Sequence, residues 1–156
     1  MAIAEDLLEQ AHHLVRRERT KPKQASLRPA VSAAYYALFH LLIKEAARNW
    51  KRPDQRAALA RTFDHNRMRK ASQRLANSKL AGESAQAAAD LKGVASAFDH
   101  LQELRHLADY DDTEKWSRTS ALKAVNLVAD EFLAWRAVRT ERMAQDYLFD
   151  LHFARR

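Results

Sequence analysis

The sequence predicts an all-α protein, an up-and-down bundle of about five helices in one domain. Three observations carry this. Only two glycines and three prolines interrupt 156 residues. Alanine, leucine, arginine, glutamate, lysine and glutamine, all good helix formers, dominate. No stretch sustains the alternation of β-branched residues that marks a strand. A chain of this length buries enough surface to fold without a disulfide or metal staple, and residues 1–156 read as a single domain.

The first helix is expected over 3–19, with Ile3, Leu7, Leu8, Ala11, Leu14 and Val15 on one apolar face. Pro22 breaks the chain in the loop that follows. Ser26 reads as the N-cap of a second helix running to Trp50, with Pro29 in its first turn. Between Val31 and Ile43 this helix is apolar on most sides, so it should be the most buried. Residues 54–62 fit a short helix or an ordered loop, and 66–80 a helix with Met68, Ala71 and Leu75 inward. Gly82 marks a turn. The next helix, 84–109, carries the stripe Leu91, Val94, Phe98, Leu101, Arg105 and Ala108. The last runs from 114 to about 146–150 without a break, with Ala121, Val125, Val128, Phe132, Trp135 and Val138 inward.

The net charge of +7 is uneven: residues 48–79 hold ten Lys/Arg against two Asp/Glu, and residues 80–115 three against eight. Such a molecule has one end suited to phosphates, or simply a well-solvated basic face. The absence of cysteine removes thiolate chemistry and fits a reducing compartment. The first ten residues carry three carboxylates and no basic residue, unlike a secretory signal. No apolar run approaches the ~18 residues of a membrane span. The expected location is therefore cytoplasmic.

No HExxH, glycine-rich phosphate loop or GxSxG occurs. His12 and His13 are adjacent, and His100 and His106 are six apart, so neither pair converges on one ion. The sequence calls for no metal and no cofactor. Arg105 lies on an apolar stripe and needs a partner. It either pairs with Asp109, one turn on, or waits for a phosphate. Tyr35 and Tyr36 point about 100° apart, so one can enter the core while the other lines a groove. His40 shares the face of Tyr36. The segment RTFDHNRMRK holds His65, Arg67, Arg69 and Lys70 and reads as a phosphate-binding edge or a solvated helix start.

The helix AAYYALFH (33–40) followed by LRHLADYD (104–111) resembles the HEPN superfamily, in its branch of small stand-alone proteins with an R-x-x-A-D-Y-D element. Arg28, Ser32 to His40, and Asp64-His65 opening a basic helix match in order, over residues 3–139. The resemblance implies a helical bundle that dimerises, with a shared cleft for RNA or a nucleotide. It also implies, in many members, a metal-independent ribonuclease, and in several a toxin paired with a nucleotidyltransferase antitoxin. It places Arg105, Tyr110 and His106 where the catalytic motif lies. Binding residues would be Tyr36, His40, His65, Arg67, Arg69, Lys70 and Asp109.

The family's motif histidine is here Tyr110. With an ordinary pKa near 10, tyrosine is a poor general base at neutral pH. The reading is therefore a non-catalytic or atypical HEPN-type dimer binding RNA, a nucleotide or a partner protein. The alternatives are an active ribonuclease and a structural interaction module. Arg105 and Tyr110 stand five apart, about 140° around a helix, so they meet only if the helix ends near Ala108 or Asp109.

Overall fold

A computed structural model describes residues 3–80 and 84–153. Among these residues every regular element is helical. The all-α expectation holds, but the described residues form seven α-helices rather than five: α1 (Ile3–Val15), α2 (Gln24–Arg48), α3 (Arg56–Ala60), α4 (His65–Ala76), α5 (Ala85–Tyr110), α6 (Arg118–Val138) and α7 (Arg142–His152). A 3-10 turn, Pro53–Gln55, leads into α3. The turn expected at Gly82 lies outside the described residues. No described helix is long and apolar enough to cross a membrane.

The central helix is α2, which packs against α1, α5, α6, α3 and α7. Val31, Ala34, Tyr35, Leu38 and Leu42 are fully buried on it. Its start differs from expectation. The helix begins at Gln24 after Lys23, and Ser26 lies inside the first turn. The Ser26 hydroxyl donates to Glu18 Oε2 at 2.8 Å instead of accepting from a first-turn amide. Pro29 consequently sits inside the helix. The first helix ends at Val15, four residues early, because Arg118 of α6 donates to the carbonyls of Val15 and Glu18 and holds the departing chain.

The long last helix is broken. At residues 139–141 the chain turns, and α7 folds back on α4 and α2, burying Met143, Ala144, Tyr147, Leu148 and Leu151. The break is held from afar. The Arg139 guanidinium grips the buried Glu45 carboxylate of α2 at 2.8 and 2.9 Å, and Gln145 Nε2 donates to the Arg139 carbonyl at 2.6 Å. Trp135 Nε1 also donates to Glu45, at 2.8 Å. Leaving this carboxylate without its partners would be expensive at 9% exposure. Beneath α7, Tyr147 and Ser72 of α4 share a buried hydroxyl–hydroxyl bond of 2.7 Å.

Candidate functional site

Two N-caps set the positions of the helices that meet at the site. The Asp64 carboxylate accepts from the Arg67 amide at 3.1 Å, so α4 starts at His65 and its ring reaches α2. Ser84 accepts from the Ala87 amide at 3.1 Å and starts α5, whose stripe carries Arg105 inward against α2. Arg28 of α2 reaches across to donate to the Ala108 carbonyl at 2.9 Å, tying the end of α5 to α2.

The result is an aromatic nest around one cation. The Arg105 guanidinium carbon lies 5.2 Å from the Tyr35 ring centre and 5.7 Å from that of Tyr36, within cation–π range. Tyr35 is fully buried, while Tyr36 is half-buried. The Tyr35 hydroxyl and His65 Nδ1 are 2.6 Å apart. The His65 ring stacks on Phe39, with centres 4.2 Å apart and planes within 13°. His40 closes the nest beside Tyr36 and Phe39.

Within the nest only Arg105 is strongly charged at neutral pH. Burial pushes the His65 pKa down, and the Arg105 charge pushes it the same way, with His40 adding to this and Asp64 opposing it. Burial also lowers the His40 pKa. Burial raises that of Tyr35, so its phenol keeps its proton. The cation itself is under-partnered. Arg105 is 15% exposed, and among the described residues it pairs only with Asp109 at 3.7 Å and its buried Nε has no hydrogen-bond partner. Asp109 is shared with Ser32, whose hydroxyl donates to it at 3.4 Å. Beside this pair, Arg28, Ser32, Tyr36, Asp109 and Tyr110 line a groove of about 600 Å³.

The structure therefore gathers Arg105, Tyr36, His40, His65 and Asp109. It places other expected residues elsewhere. Helix α5 runs to Tyr110, one residue past the expected Asp109, so the early end that would let Arg105 and Tyr110 meet does not occur. Tyr110 is 68% exposed and lies against His106, ring centres 5.1 Å apart, while Arg105 faces the Tyr35 and Tyr36 rings. The basic edge is also divided. Arg67 donates to the His152 carbonyl of α7 at 2.8 Å. Arg69 is clamped between Asp99 at 2.7 Å and Glu103 at 2.8 Å on α5. Lys70 is exposed. Sequence reasoning missed Phe39 as the plate under His65. Its only signal is the shared face with Tyr35 and Tyr36, three and four residues apart.

No family model, curated protein or solved structure matches this chain. Among the described residues no group of three or more His, Asp or Glu side chains is placed to hold a metal ion. The arrangement offers one desolvated guanidinium, two neutral imidazoles and the half-buried ring of Tyr36. That set suits an anion carried by a planar group.

Proposed function

We propose that this chain is a HEPN-type helical domain that binds single-stranded RNA without cutting it. In this reading it acts as a homodimer in a toxin–antitoxin or defence setting, where a nucleotidyltransferase antitoxin is the protein partner. The carrying observation is Arg105: buried to 15% exposure, set over two tyrosine rings and, among the described residues, matched only by a carboxylate at 3.7 Å. A guanidinium in this state gains from a phosphodiester, which would offer bidentate hydrogen bonds at low dielectric. His40 and His65, both neutral, add hydrogen-bonding groups without competing charge.

A second reading, a metal-independent ribonuclease, is favoured by His65. With Nδ1 donating to the Tyr35 oxygen, the bond fixes the ring and leaves the Nε2 lone pair free, and the lowered pKa keeps that nitrogen unprotonated at neutral pH. The 2′-hydroxyl would lose its proton to His65 Nε2 and attack phosphorus, and the bond to the 5′-oxygen would break, that oxygen leaving with a proton taken from water. Arg105 would offset the growing charge on the phosphoryl oxygens.

The deciding experiment compares Arg105→Ala with Arg69→Ala in RNA binding across a salt series. Arg105→Ala should weaken binding and flatten the salt slope by about one contact's worth, with the loss shrinking as salt rises. Arg69→Ala should leave both unchanged. Equal losses from the two variants would remove Arg105 from the RNA contact. RNA cleavage in EDTA that His65→Asn abolishes would replace binding with the second reading.

A further inference from the structure

The groove beside Arg105 does not open on its guanidinium. Arg28, Ser32, Tyr36, Asp109 and Tyr110 line it, and Arg105 stands behind Tyr36 and Asp109. A phosphate entering from the groove therefore meets a carboxylate before it meets the cation.

Several features make Asp109 a poor structural partner for Arg105. Its Oδ2 lies 3.7 Å from Arg105 Nη1, too far for a hydrogen bond. The Ser32 hydroxyl draws the same oxygen the other way, at 3.4 Å. The pair runs in the weaker order along the helix, cation first and carboxylate four residues later. Asp109 also lies in the last turn of α5, which ends at Tyr110, and there the helix dipole disfavours a negative charge. The backbone at this end is fixed from α2, because Arg28 donates to the carbonyls of Ala108 and Glu114. The Asp109 carboxylate is held, among the described residues, by the two long contacts alone. A change of side-chain rotamer is enough to carry it off Arg105.

We propose that Asp109 is a built-in competitor for Arg105, a carboxylate that an RNA phosphate must displace, and that this competition sets the affinity of the site. Two anions contend for one guanidinium. The resident one stands at 3.7 Å without a hydrogen bond, while a phosphodiester can make charge-assisted bonds of about 2.7–2.9 Å to two guanidinium N–H groups. The displaced carboxylate turns to water, toward which its side chain is already 27% exposed. The choice of RNA as the displacing anion rests on the RNA-binding reading above.

A labelled oligouridylate, followed by fluorescence anisotropy at fixed salt, tests this. Asp109→Asn keeps the size of the side chain and removes its charge. It should keep the wild-type melting temperature and bind the strand about tenfold more tightly, the scale of one charge-assisted hydrogen bond. Asp109→Ala, also uncharged, should gain in the same direction. Asp109→Glu keeps the charge and should give no gain. Arg105→Ala should weaken binding. In the Arg105→Ala/Asp109→Asn double variant the gain from Asn should shrink to about twofold or less, because the competition needs the cation. A gain that persists in full without Arg105 would reduce Asp109 to a general repulsion of phosphates and overturn the proposal. A gain in Asp109→Glu as large as in Asp109→Asn would overturn it too. Unchanged or weaker binding by folded Asp109→Asn, with Arg105→Ala still losing affinity, would overturn the competition and leave the RNA reading standing. Binding that Arg105→Ala leaves unchanged would overturn both.

Discussion

Two crossings of α5 each carry one arginine, and they use the charge in opposite ways. Where α5 meets α4, Arg69 lies between two carboxylates at 2.7 and 2.8 Å, which hold its pKa up and join the helices. Where α5 meets α2, Arg105 has aromatic faces beneath it, one distant carboxylate and an orphaned Nε. A fully paired cation fixes geometry and has little left to offer a ligand. A partly paired one, held rigid by rings that cannot neutralise it, keeps its capacity to bind. What separates the two arginines is the completeness of their pairing.

The largest change expected comes from α2, on which only the Arg105 crossing stands. Leu38 is fully exposed to the core and not to solvent. Leu38→Ala should destabilise the protein by about 2–5 kcal/mol, read by thermal or denaturant unfolding. It should disturb the Tyr35–Tyr36 platform more than the Arg69 clamp, which joins α4 to α5 without α2. A loss within experimental error would mean that α2 is not the keystone that its burial indicates.

Proton uptake gives an intermediate effect and sharpens the contrast. The pKa values of His40, His65 and His152 all lie below the ordinary imidazole value in the folded state, chiefly through burial. The unfolded chain takes up protons near pH ~6.5 while the folded chain refuses them. Stability is therefore unaffected by these groups above that point and falls as pH drops below it toward the folded values. Melting temperatures measured from about pH 7 to 5 should show this decline. The two arginines differ here as well. Arg105 acts on His65 directly, so Arg105→Ala should raise the His65 pKa as followed by NMR, and Arg69→Ala should not move it. Equal shifts in both variants would dissolve the distinction between the crossings.

Much of the helical core was legible because each helix keeps its own period. Every apolar residue expected on the stripes of α5 and of α6 through Val138 is buried. The break after Val138 was not legible. Residues 139–143 contain no glycine or proline, and the turn depends on Glu45, 94 residues away. The site was half legible for the same reason. Tyr36, His40 and Arg105 stand on predictable faces. The Phe39–His65 stack and the commitment of Arg67 to a carbonyl of α7 are long-range events with no local signature.

The smallest expected effect lies at Tyr110, which bears most directly on the boundary of the Arg105 crossing. Its ring is 68% exposed and touches His106, one turn back on the same helix. Tyr110→His creates an Arg-x4-His spacing in sequence. Spacing alone is not geometry: five residues along a continuous helix turn the new imidazole about 140° from Arg105. The variant should thus keep wild-type stability within about 0.5 kcal/mol, as expected of an exposed site. It should also gain no RNA cleavage in EDTA. Cleavage appearing in Tyr110→His but absent from the parent would show that the last turn of α5 opens when RNA is bound. Asp109 and residue 110 would then belong to the same reactive cluster as Arg105. In that case the weak pairing of Arg105 would mark a degenerate catalytic centre, one side chain short of activity.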